Sequence, residues 1–352
     1  MSDETKARVE DVLDSGMLAD GPEVRAFEEE FADYCGVEHA VATANGTTAL
    51  HAALEALEIG EGDTVLTTPF SFIATANAIR FTGAEPVFVD IDPETYNLDT
   101  DAAARVAHEH DVDAIMPVHL YGLPAAMNPL QELAADLDVP IVEDAAQAHG
   151  ATYHDKRAGS LGDVACFSFY PTKNMTTGEG GMIVTDRDDI ADAAARFVNH
   201  GRTESYEHAT VGHNFRMTSM AAAIGRVQLD RLPAFVETRR TNAARLTRGI
   251  DQTSLVTPTE PANREHAYHQ YTVRTDDRDT LQEYLDDHGV GYGVYYPKCI
   301  HDQPPYEGVD VSAPEAERAA QEVLSLPIHP NVSDKDVDRM IEVIHDYDTK
   351  QN

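Results

Sequence analysis

From about residue 40 to residue 200, short apolar runs alternate with longer stretches in which apolar positions recur at helical spacing. Residues 39–43, 63–67, 86–90, 114–118 and 140–144 are short, mostly apolar runs that read as strands, and Ala-rich amphipathic stretches of ten or more residues lie between them. Regular strand–helix alternation predicts an α/β fold with a mostly parallel sheet covered on both faces, because parallel neighbours need a crossover to return the chain. Ligands then belong at the carboxyl ends of the strands. Residues 163–169 and 181–185 add two strand candidates. Residues 217–250 read as long helices interrupted at Pro233. Beyond them, a strand near 268–274, a helix near 280–288, a strand near 290–295 and two closing helices predict a smaller α+β unit. The expected division is a large domain over 1–235, N-terminal segment included, and a small one over 236–352, with no internal repeat and no low-complexity linker.

At 352 residues the chain exceeds the usual size of one domain, consistent with that division. No apolar run approaches the length of about 18 that spans a bilayer, so no membrane partner is expected. The start, MSDETKARVE, lacks the basic and apolar regions of a secretory signal, and a cytoplasmic location is expected. The three cysteines, Cys35, Cys166 and Cys299, are far apart with no C-x-x-C pair, which indicates neither a disulfide framework nor a thiolate metal site. His108 and His110 are expected on a surface helix without a third ligand. The formal net charge of −36 excludes nucleic acid, which requires clustered Lys and Arg. Only six lysines accompany 62 acidic residues, and on a globular pattern this points to a protein kept soluble in high salt.

Scarcity makes each lysine informative. Lys173 follows an apolar strand and precedes a Gly-rich turn and a second strand. An amine that attacks an aldehyde must first be neutral, and burial or nearby positive charge lowers a lysine's pKa toward that state. On spacing alone, an ordinary loop lysine fits equally well. Asp144 ends the strand candidate 140–144, with Gln147 and His149 just after it. A carboxylate there can reach a bound pyridine nitrogen and hold it protonated, with Gln147 facing the ring hydroxyl; the alternative is a simple helix cap. Residues 45–50 open a helix after the first strand, so unpaired N–H groups and the hydroxyls of Thr47 and Thr48 offer an anion site, although capping alone would also explain Asn45 and Thr47. Phe72 is either a ring that stacks on a flat heterocycle or a core residue.

Together these segments resemble the DegT/DnrJ/EryC1/StrS family of pyridoxal-phosphate sugar aminotransferases, of the aspartate-aminotransferase fold type (fold type I). The resemblance runs from Ser15-Gly16 and Gly21-Pro22 through residues 45–50, 69–75, 117–122, 143–150, 167–181 and 212–217. It continues to Tyr296-Pro297 with His301 and Gln303, and to residues 326–330. It implies that Lys173 carries pyridoxal 5'-phosphate as an imine and shuttles the proton, that Asp144 pairs with the pyridine nitrogen, and that Gln147 contacts the ring oxygen. Phe72 stacks over the ring. Gly46, Thr47, Thr48 and Ser168 hold the phosphate, joined by Asn214 of the neighbouring subunit, so the active sites are shared in a homodimer. His301 and His329 are candidate substrate-side residues, or structural histidines, and Arg216 is a candidate contact for a carboxylate or phosphate. No metal is expected.

Members that dehydrate the sugar carry histidine where this chain has Lys173, so the resemblance implies transamination. L-glutamate would deliver the amine to the cofactor and leave as 2-oxoglutarate, and a nucleotide-linked keto sugar would then accept it. Residues 214–225 look more like members acting on 4-keto-6-deoxyhexoses than members acting at C3. Competing readings are amination of a cyclitol ketone or formation of an aromatic amine on the same fold, and a protein that binds the cofactor to regulate without turnover. A nicotinamide dehydrogenase is disfavoured, because no G-x-G-x-x-G follows the first strand.

Overall fold

The computed structural model describes residues 1–351 except Ser205 and Asp310. Two N-terminal helices, α1 (Asp3–Ser15) and α2 (Pro22–Cys35), precede an alternating region. Its strands are β1 (His39–Thr43), β2 (Thr64–Thr67), β3 (Glu85–Phe88), β4 (Ala114–Ile115), β5 (Val142–Asp144), the hairpin β6 (Thr152–Tyr153) and β7 (Lys156–Arg157), β8 (Val164–Ser168) and β9 (Gly181–Thr185). Helices α3 (Gly46–Ala56), α4 (Ala74–Thr82), α5 (Thr100–Ala107), α6 (Met127–Leu137) and α7 (Asp188–Phe197) alternate with them.

A three-stranded group ordered β3-β2-β4 and a four-stranded group ordered β1-β9-β8-β5 meet where Ile115 pairs with Ile141 and Val118 with Asp144, both parallel. The result is one mixed sheet in which β9 alone runs against its neighbours β8 and β1. Parallel strands are buried on both faces, and β9, GMIVT, though antiparallel to its neighbours, shows the same continuous burial. α3 is apolar almost all round because it is enclosed: Ala49, Leu50, Ala53 and Leu54 join Val41, Val65, Ile79 and Ile183 in one core. Burying each leucine side chain there is worth roughly 2 kcal/mol.

The 114–118 run forms only two strand residues, because Pro117 lacks an N–H and breaks the ladder. Pairing resumes locally, with Asp144 N donating to Pro117 O at 2.9 Å and His119 N to Asp144 O at 3.0 Å. After a two-stranded ribbon of β10 (Arg202–Glu204) and β11 (Glu207–His208), one helix, α8 (Ser219–Ile250), runs through Pro233. The expected interruption does not occur. Pro233 sits on the exposed side, while Leu229, Leu232 and Val236 hold both halves of the helix against one core.

The rest comprises β12 (Arg264–Glu265), which adds to the β6–β7 hairpin, β13 (Tyr271–Arg274), α9 (Arg278–Asp287), α10 (Pro314–Glu322), β14 (Val323–Leu326) and α11 (Asp334–Gln351). β13 and β14 pair antiparallel. The expected strand at 290–295 is absent: only Gly293 bridges to Ser325, and glycine at 289, 291 and 293 removes the side chains that would pack a strand. The boundary we propose between residues 235 and 236 lies inside α8, whose Ala243, Leu246 and Ile250 pack in a separate core with Tyr271, Leu285, Leu324 and Ile344.

Candidate active site

The carboxyl ends of β5 and β8 face the amino end of α3. Asp144 ends β5 and is 4% exposed. Its Oδ2 accepts from Thr75 Oγ1 at 2.8 Å and its Oδ1 from Ala146 N at 3.2 Å. Burial raises its pKa, and Thr75, Ala146 N–H, Lys173 and His119 oppose the shift in that order. No Lys or Arg forms an ion pair with this carboxyl group among the described residues, so it is buried without a contacting cation.

Lys173 lies in the turn after β8, its N–H bonded to Tyr170 O at 2.9 Å, and is half-buried. Burial brings its amine down to about 8, against an upward pull from Asp144. The two groups therefore lie close together, and the amine is easier to deprotonate than a free lysine. His149 and His269, both buried, are held far below the usual histidine range by burial first and then by Lys173. They stay uncharged and leave the lysine as the ionisable base.

Gln147 is fixed at both ends: its Oε1 accepts from Tyr121 N and its Nε2 donates to Tyr296 Oη, each at 2.8 Å. One layer below, Glu143 accepts from the N–H groups of Gly159, Leu161 and Gly162, and from His119 Nε2 at 2.8 Å. His119 Nδ1 in turn accepts from Ala125 N. Every acceptor of this fully buried carboxylate is engaged, which holds rigid the strand that carries Asp144.

α3 begins with a capping box. Thr48 N donates to Asn45 Oδ1 at 3.0 Å and Asn45 N to Thr48 Oγ1 at 3.1 Å. Thr48's hydroxyl also donates to Asn45 O, so it serves the cap, and the anion site consists of the first-turn N–H groups. A Cβ on Gly46 would lie 2.7 Å from Ser168 Cβ, and one on Gly181 would lie 2.4 Å from Asn45 O. Glycine at both positions lets the helix start seat directly on the ends of β8 and β9.

The geometry gathers Lys173, Asp144, Gln147, Gly46, Thr47, Thr48 and Ser168 at adjoining strand and helix ends. Phe72 is 59% exposed, which excludes the core reading. Asn214 lies on the surface, its Oδ1 taking Arg216 Nε and Nη2 at 3.0 and 2.9 Å, so these two candidates engage each other. His329 is exposed after β14, whereas His301 is buried beside α10. Residue-level reading missed Thr75 and Tyr296. Both lay inside motifs already singled out, but only contact shows their partners.

The site suits pyridoxal phosphate on these observations: a buried carboxylate without a contacting cation for the ring nitrogen, a lysine of lowered pKa, and a helix start in close contact with Ser168 for the phosphate. A model of the DegT/DnrJ/EryC1/StrS aminotransferase family matches residues 1–345. The chain is 40% identical to a Geobacillus stearothermophilus protein named pleiotropic regulatory protein, over 96% of this chain and 93% of the relative. It is 38% identical to UDP-N-acetyl-3-dehydro-alpha-D-glucosamine 3-aminotransferase of Acidithiobacillus ferrooxidans, over 98% and 94%. The crystal structure of S. venezuelae DesV in complex with a ketimine intermediate superposes with a TM-score of 0.95 at 39% identity, over 98% of this chain and 94% of that one.

Proposed function

The chain belongs to the DegT/DnrJ/EryC1/StrS aminotransferase family and is a pyridoxal-phosphate-dependent sugar aminotransferase, and from that premise we propose that it moves the amino group of L-glutamate to a nucleotide-linked 4-keto-6-deoxyhexose. The observation that carries the reading is that Lys173, its pKa lowered to about 8, lies close enough to the buried Asp144 for each to shift the other's pKa. A second reading, a 3-oxo sugar, is favoured by the name of the A. ferrooxidans relative.

When bound, pyridoxal phosphate supplies a conjugated ring that spreads the electron pair left on a substrate carbon after its proton is removed. Asp144 holds the proton on the ring nitrogen, and Thr75 and Ala146 N–H keep the carboxylate oriented. The first-turn N–H groups of α3, with Thr47 and Ser168, bind the phosphate. Lys173 would hold the cofactor covalently, and its Nζ, freed when an amine substrate binds, would serve as the base and acid that moves the proton. Gln147, locked by Tyr121 and Tyr296, would orient the ring oxygen, and the exposed Phe72 would cover the ring from solvent. We assign Arg216 and the exposed His329 to the substrate's charged groups. Asn214 is exposed in each chain, and we assign it to the phosphate site of a partner subunit in a homodimer.

Mass spectrometry of products from a panel of nucleotide 4-keto and 3-keto sugars with L-glutamate tests the assignment. Amination of the 4-keto-6-deoxyhexoses is expected; amination of the 3-keto sugars alone, or of no sugar, overturns it. Lys173→Ala should abolish turnover and the visible absorbance of the bound cofactor while keeping the far-ultraviolet circular dichroism. Persistence of that absorbance would refute the lysine's role.

A further inference from the structure

We propose that Cys299, His301, Asp302 and Glu317 form a binding site for a borderline divalent metal ion of the zinc or cobalt kind, separate from the cofactor pocket. The sequence reading set a thiolate metal site aside because no cysteine pair exists, but a mixed donor set needs only one cysteine.

Ligand atoms of Cys299, His301 and Asp302 all lie within 4.8 Å of one another. His301 Nε2 is 3.4 Å from Glu317 Oε1 and 3.8 Å from Asp302 Oδ1. Tetrahedral zinc ligands stand about 3.3–3.7 Å apart, so small side-chain rotations close the shell. The independent observation is His301 itself: its side chain is 8% exposed, yet neither ring nitrogen makes a hydrogen bond. A buried imidazole is normally hydrogen-bonded or bound to a metal, and this one faces two carboxylates and a thiol.

The surrounding charge favours a cation. Three carboxylates, those of Asp302, Glu317 and Asp90, lie near the Cys299 sulfur. Asp90 is already engaged, its carboxylate capping α10 through the N–H groups of Glu315 and Ala316, and it acts from outside the ligand set. One sulfur, one imidazole nitrogen and two carboxylate oxygens suit zinc or cobalt, whereas calcium and magnesium take oxygen alone. On binding, the Cys299 proton leaves to solvent and the thiolate bonds the metal.

The site would fasten the 299–302 turn to α10. Ile300 N donates to Pro69 O at 2.8 Å, so the same turn braces the loop that carries Phe72. Tyr296, which holds Gln147, lies three residues before Cys299. The metal would therefore act as a clamp behind the cofactor pocket and take no part in the chemistry.

The test uses the cofactor-loaded protein, treated with chelator, dialysed and titrated with cobalt(II) chloride alone. One equivalent per chain is expected, with thiolate-to-cobalt charge transfer and the strong visible bands of a tetrahedral ion, both displaced by zinc(II). Cys299→Ser and His301→Ala should each weaken binding at least ~10-fold, while Cys35→Ser and Cys166→Ser leave it unchanged. Binding without a thiolate band, or of equal strength in the Cys299 and His301 variants, overturns the proposal. If either variant fails to fold, Glu317→Gln serves, and the band in the unaltered protein stands by itself: its absence at saturating cobalt is decisive.

Discussion

Asp144 and Lys173 lie within electrostatic reach of each other but have different neighbours, and those neighbours set their roles. The carboxylate is buried, so the donors that keep it charged matter, and Thr75 heads the groups opposing its upward shift. Thr75→Val removes the 2.8 Å donor and leaves that oxygen unsatisfied, a loss of about 1–2 kcal/mol. We expect kcat/KM to fall roughly 10-fold and cofactor affinity to weaken, with Thr75→Ser close to the parent. Unchanged kinetics in the valine variant would show that the hydroxyl does not support the carboxylate. The same hydroxyl also bonds Ser71, so the contact belongs to a small network under the ring.

Among elements, α2 and α8 each carry a residue whose cost is measurable. Glu28 of α2 is buried, accepts from Ala42 N of β1 at 2.8 Å and pairs with Arg25. Burial lifts its carboxyl to about 7, outweighing Arg25 and the Ala42 N–H. The folded protein therefore binds more protons than the unfolded chain between about pH 4.5 and 7, and this contribution to stability is lost as pH rises through that window. Glu28→Gln should match the parent near pH 4.5 and exceed it by on the order of 2 kcal/mol at pH 8 in urea unfolding; a pH-independent difference would refute the shift. In α8, Pro233 forfeits one backbone hydrogen bond on an exposed face. Pro233→Ala should stabilise the protein by about 1–3 kcal/mol, read as a higher urea midpoint without a change in slope.

For the whole molecule the governing quantity is the net charge of −36. Some of it is offset locally: Arg226 joins Glu23 and Glu30, and Arg245 joins Asp334 and Asp338. Most acidic side chains have no such partner available, because 26 basic residues face 62 acidic ones. Their repulsion acts over about 10 Å at 0.1 M salt and about 3 Å at 1 M. We propose that the composition reflects a high-salt habitat, and expect the unfolding midpoint to rise by at least about 5 °C between 0.1 and 2 M potassium chloride. Equal midpoints would rule the idea out. No helix among the described residues is long and apolar enough to cross a membrane.

Periodicity along the chain was enough to locate β1 over its full length, to place Asp144 at the end of β5 and to place Lys173 just beyond β8, because buried strands leave short apolar runs that local sequence displays. It misjudged residues 290–295 and Pro233, where alternate glycines and packing against a distant core outweighed local pattern. The partners of the site residues were decided by tertiary structure alone. Thr75 reaches Asp144 across 69 positions and Tyr296 reaches Gln147 across 149, while His301 meets Glu317 through the packing of α10. Local sequence sets which residues face inward; the order of strands in the sheet, a property of the whole chain, sets which of them touch.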